Sequence, residues 1–130
     1  MSATQNMIAP TPEQQIFMQD DLSTRLHHLA AHLSQIYSLW TQTSSHPGMM
    51  PLIKESRYFL EWTVPDMVKA NDIDRAAELV DLVRLLTGWI AHWDKIWSDE
   101  EQKRVAQGQT QDWLRRVLEI ADTEPEALSA

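Results

Sequence analysis

The sequence predicts an all-α fold, an elongated antiparallel bundle of about four helices. Three observations carry this expectation. Apolar residues recur at steps of three and four in four separate segments, the period of a helix with one buried face. No run of four or more residues alternates as a half-buried strand would. Three glycines and six prolines are too few turn formers for a fold of many hairpins.

The first helix is predicted from Thr11 to about Thr43. Thr11-Pro12-Glu13-Gln14 is a good start: a hydroxyl that accepts from free N–H groups, a proline at the first helical position, and a glutamine where a capping box places one. Leu22, Leu26, Leu29, Leu33, Ile36 and Trp40 then form the seam, widened by Ala30 and Tyr37. At about 1.5 Å per residue such a helix runs roughly 45 Å, hence the elongated shape. Ser44-Ser45-His46-Pro47-Gly48 breaks the chain. A second helix follows from Met49 or Pro51. Its stripe is Met49, Ile53, Ser56, Leu60 and Met67, flanked by Leu52 and Phe59. Pro65 removes a hydrogen bond and clashes one turn back, so a kink or short break is expected at Val64-Pro65. Asn71-Asp72 ends this helix and caps the next.

The central helix, Leu79 to Trp97, is the most apolar stretch. Leu79, Val83, Leu86, Ile90, Trp93 and Trp97 form its seam, with Leu82, Trp89 and Ile96 on the flank. An apolar arc this wide must be covered on more than one side. Ser98-Asp99-Glu100-Glu101 is a capping-box pattern, so a break is placed near Ser98 rather than near Gln107. Residues 98 to 104, polar all round, are expected to bury little. The last helix carries Ala106, Trp113, Val117 and Ile120 on one face, with Leu114 and Leu118 alongside. The domain division that results is a flexible N-terminus at 1–10, one helical domain at 11–121, and a disordered acidic tail at 122–130. The runner-up architecture is a pair of long helices with shorter ones packed on them, completed by dimerisation.

Composition narrows function by exclusion. There is no cysteine, which excludes disulfides, thiolate metal sites and cysteine catalysis and fits a reducing, cytoplasmic setting. A net charge of −8 disfavours nucleic acid and anionic membrane as partners, since both require phosphate neutralisation. No stretch approaches eighteen uninterrupted apolar residues, and the N-terminus lacks a signal-peptide pattern.

No motif specifies a reaction, so the chain is expected not to be an enzyme. His28 and His32 have the four-residue spacing of two metal ligands, but no HExxH and no evident third ligand accompany them. They read as a solvent histidine and a boundary histidine, and no metal or cofactor is expected. His92 and Trp89, with Trp93 and Trp97, are the candidates for a chromophore site. The bland reading is a core-edge histidine bonded to a neighbouring helix, beside tryptophans that simply fill the core. Tyr58 and Trp62 lie four apart, off the core stripe of the second helix, with Glu55 and Glu61 at their border. Aromatics so placed suit a partner surface, and packing within the same chain suits them equally. The favoured function is therefore a small cytosolic interaction module, a regulator or adaptor. Its partner would be another protein or itself as a homodimer. The alternative is a bundle binding a ligand, chromophore or metal through its Trp- and His-rich central helix.

Overall fold

The structure is a computed structural model that describes residues 11–42 and 46–123. Those residues form six helices and no strand: α1 (Pro12–Gln19), α2 (Leu22–Leu39), α3 (His46–Lys69), α4 (Ile73–Ala91), α5 (Trp93–Trp97) and α6 (Glu100–Asp122). The all-α prediction holds. Helix α2 packs against α3 and α6, α3 packs also against α4, and the small helices α1 and α5 lie on α3 and α6 respectively. The predicted flexible N-terminus, the break at Ser44-Ser45 and the tail beyond Thr123 lie outside the described residues.

The expected first helix is two helices. Thr11 caps α1 by accepting from the Gln14 N–H at 3.1 Å, but the Gln14 side chain reaches forward to Met18 Sδ, so the capping box is only half formed. The chain then breaks at Asp20-Asp21. Asp21 accepts from the Thr24 N–H at 2.8 Å and starts α2 afresh; an aspartate gains more as a cap than inside a helix. The resulting α2 has 18 residues, about 27 Å at the helical rise, rather than a 45 Å rod. Its seam from Leu26 to Trp40 is buried as expected.

Helix α3 starts earlier than predicted, at His46, with Pro47 in its first turn, where a missing N–H costs nothing. It also runs without a break through Pro51 and Pro65. Both prolines are exposed, as are Pro47 and Glu61 one turn back, whose carbonyls are left without a helix donor. Leu60, Thr63 and Met67 meanwhile stay buried on either side of Pro65. At its end Asn71 adopts φ 65°, and the Asp72 N–H closes back onto the Met67 carbonyl at 2.9 Å. That is a left-handed helix stop, a conformation asparagine tolerates. Asp72 occupies the cap position of α4, but its side chain accepts no hydrogen bond from the first turn; its carboxylate lies 3.3 Å from Arg75 instead.

The central helix breaks near Ser98 as expected and also at His92, where φ and ψ leave the helical region. Its buried face is Ala76, Leu79, Leu82, Leu86, Trp89, Trp93 and Ile96. Leu79, Leu86 and Trp93 of the predicted seam are buried, but Val83, Ile90 and Trp97 are the half-buried flank, so the stripe is rotated by about half a residue toward Leu82, Trp89 and Ile96. Apolar side chains cover both arcs, and spacing alone does not select the deeper one. Gly88 has open space where a Cβ would stand, so it marks no close helix approach. On α6, Asp99 caps the first turn by accepting from the Glu101 N–H at 2.9 Å. The polar segment 98–104 still contributes one buried residue: Lys103 lays its stem over the Trp97 ring, Nζ 4.6 Å from the centroid.

Candidate functional site

Two aromatic clusters occupy opposite roles. The first is core. Trp40 contacts Trp89, Trp93 and Trp97 with ring centroids 5.2, 5.6 and 6.2 Å away. Trp89, Trp93 and Trp97, four residues apart, keep one side toward it across the break at His92. The buried indole nitrogens are satisfied: Trp40 Nε1–H donates to Thr110 Oγ1 at 2.9 Å, and Trp93 Nε1–H donates to His46 Nε2 at 3.0 Å. A buried donor without such a partner costs about 1–3 kcal/mol.

The second cluster forms an open groove of 790 Å³. Its walls come from α1, the start of α2 and the middle of α3. Phe17, Tyr58, Phe59 and Trp62 line it, together with Glu13, Asp20, His28 and Glu55. Phe17 and Phe59 stack at 4.5 Å, Tyr58 and Trp62 stack at 5.7 Å, and Trp62 tilts against Phe17 at 5.5 Å. Tyr58 remains 46% exposed, whereas Trp62 is half-buried. Of the predicted partner-binding residues, Tyr58, Trp62 and Glu55 therefore meet in one depression. Glu61 does not line it; it lies 3.5 Å from Arg57 on the same helix. Both readings of Trp62 apply, since it packs within the chain against Phe17 and Phe59 and also borders the groove.

Arg25 builds this groove. It is buried, and its guanidinium donates to the Met18 and Asp20 carbonyls at 3.0 Å each. It also donates to the Trp62 carbonyl at 3.4 Å and to Asp66 Oδ2 at 2.7 Å. One side chain thus closes the C-terminus of α1 and ties it to α3, with Phe17 beneath at 5.9 Å. Sequence reasoning named neither Arg25 nor Phe17. The available signal was an arginine between Leu22 and Leu26, inside an apolar seam, where an unpaired charge is not tolerated.

His28 and His32 do not converge on a shared ligand. His28 is exposed and lies 3.2 Å from Asp20, while half-buried His32 lies 2.8 Å from Glu55. That is the solvent-and-boundary placement expected of them. Among the described residues no group of three or more histidines and carboxylates could hold a metal ion. His92 departs from expectation: it is exposed at the helix break rather than bonded at a core edge. It shares a shallow depression of 500 Å³ with Trp89, Arg84 and Lys95. Among the described residues no helix is long and apolar enough to cross a membrane.

Asp21, the residue that starts α2, has a shifted proton affinity. The Thr24 backbone N–H, then its hydroxyl, bond to Asp21 and hold its carboxyl below the ordinary 3.8. The site thus combines stacked aromatics, three carboxylates and a buried arginine clamp, with no nucleophile–base pair among its lining residues. Comparison with protein-family models, with curated proteins and with solved structures gives no match.

Proposed function

We propose that the chain is a non-enzymatic cytosolic interaction module that engages a partner protein through the α1–α3 groove. The observation that carries this reading is the stacked Tyr58–Trp62 pair, with Tyr58 exposed and Trp62 half-buried along a groove of 790 Å³. Tyrosine and tryptophan supply large contact area at low rotamer cost and dominate interface hot spots. The alternative, a chromophore or metal held by the central helix, has less support. Trp89, Trp93 and Trp97 pack on Trp40, and Trp40, Trp89 and Trp93 are buried, so a ligand there would have to displace core contacts.

The test uses immobilised chain and quantitative capture from the native cell. Tyr58→Ala, at an exposed position, should leave the melting temperature unchanged and weaken retention of a specific partner by more than about 1–2 kcal/mol. Trp62→Ala should lower both retention and melting temperature, because Trp62 also packs on Phe17. Arg84→Ala, in the other depression, should change neither. A partner retained equally by the wild type and the Tyr58 variant would defeat this reading.

A further inference from the structure

We propose that the groove receives a cationic segment of the partner, an arginine or lysine side chain flanked by apolar residues. Its charged head would lie among Glu13, Asp20 and Glu55 and its stem over Tyr58 and Trp62. This rests on the interaction reading and adds the chemistry of the occupant.

Three observations point to a cation. The groove lining holds three carboxylates and one histidine, and neither lysine nor arginine. Asp20 is shared with His28 and Glu55 with His32, while Glu13 has no ion-pair partner among the described residues. The aromatic lining adds to this, because ring faces carry the negative lobe of the quadrupole and attract ammonium and guanidinium groups. The rest of the chain shows the same chemistry already satisfied. Arg116 lies 3.8 Å over the Trp113 ring and Lys103 4.6 Å over the Trp97 ring. Trp62, the half-buried indole in the groove, holds no cation of its own among the described residues.

Volume argues for a segment rather than a lone ammonium ion. A groove of 790 Å³ exceeds one side chain and leaves room for apolar neighbours against Phe17 and Phe59. A phosphate-bearing partner is disfavoured by the carboxylates. A second copy of this chain, carrying a net charge of −8, meets repulsion overall.

The test is fluorescence anisotropy of the full chain with a labelled peptide of alternating leucine and arginine, and with the same peptide carrying neutral citrulline for arginine. The arginine peptide should bind about tenfold more tightly, the scale of a desolvated cation over an aromatic face. The double variant Glu13→Gln, Glu55→Gln and, separately, Tyr58→Ala should each remove most of that difference. The control double variant Asp94→Asn, Glu119→Gln removes two exposed carboxylates elsewhere and should leave it intact, which separates the groove from the general attraction of an acidic protein. Equal losses in both double variants would overturn the proposal, as would no binding of the arginine peptide. Equal binding of the citrulline peptide would overturn the cation and leave the interaction reading standing. A homodimer broken by Tyr58→Ala in light scattering would also overturn it, by assigning the groove to a second copy.

Discussion

Replacing Arg25 with methionine should cost about 3 kcal/mol in a denaturant melt. That is the lower end for removing one partner of a buried pair, because the Asp66 side chain keeps 27% exposure. Hydrogen exchange should rise first in residues 12–19, whose last carbonyls the guanidinium closes. Uniform loss of protection across all helices would mean that Arg25 is general core support rather than the α1 clamp. Asp21 predicts a pH effect. Its folded-state pKa is depressed, so its contribution is present above 3.8 and is lost as pH falls through the lower folded value. An Asp21→Asn variant retains a capping oxygen that does not titrate, so its stability should fall less steeply on acidification than the wild type's. Parallel acid curves for the two would show that the cap does not depend on charge.

At the scale of elements, the corrected face of α4 makes a sharp comparison. Leu82→Ala and Leu86→Ala should each cost about 2–5 kcal/mol, and Val83→Ala clearly less. Asp81→Ala, at an exposed position paired with Arg84 at 3.0 Å, should be near neutral. Equal losses at Leu82 and Val83 would restore the seam predicted from spacing. The same helices show what periodicity conveys. The apolar stripes of α2, α3 and α6 were legible because one narrow face meets the core, whereas the buried polar residues Arg25, Thr63, Lys103 and Thr110 carry no periodic signal. On α4, apolar residues cover a wider arc, and spacing does not rank its two halves. The break at His92 was not legible, since the apolar period continues across it, and Asp20-Asp21 precedes the seam, where two aspartates read equally as the polar face of one long helix. A cap at Asp21 and a reoriented turn at His92 are decided by local hydrogen bonds and by the packing of Trp93 on Trp40. The prolines misled in the opposite sense, because Pro51 and Pro65 lie on solvent faces of a helix held by its buried side.

For the whole molecule, far-ultraviolet circular dichroism should show helix without strand content, and a strand signal would contradict the fold. Deleting residues 1–20 should leave a cooperative unfolding transition, at a lower midpoint, because α1 packs on α3 while the α2, α3, α4 and α6 core is built without it. The same deletion removes Phe17 and Glu13 and should abolish groove binding. A truncated chain that melts without cooperativity would make α1 part of the core. The partner surface was half legible: Tyr58, Trp62 and Glu55 share one helix and one sequence neighbourhood. Their companion Phe17 comes from a segment forty residues earlier and is brought there only by tertiary structure.

The separation of the tryptophans has an optical consequence. Trp40, Trp89, Trp93 and Trp97 form a chain of neighbouring rings, with Trp93 and Trp97 5.5 Å apart, close enough for their electronic transitions to couple. Their coupling should therefore appear as a paired positive and negative band from the strong far-ultraviolet indole transition, and that band should vanish when this cluster loosens. Trp62 lies in the other aromatic cluster, against Phe17, Tyr58 and Phe59, and it adds to the emission of the other indoles, Trp113 among them. Occupancy of the groove should shift its emission while the paired band stays fixed, so a single unlabelled sample reports binding and core integrity on two independent signals.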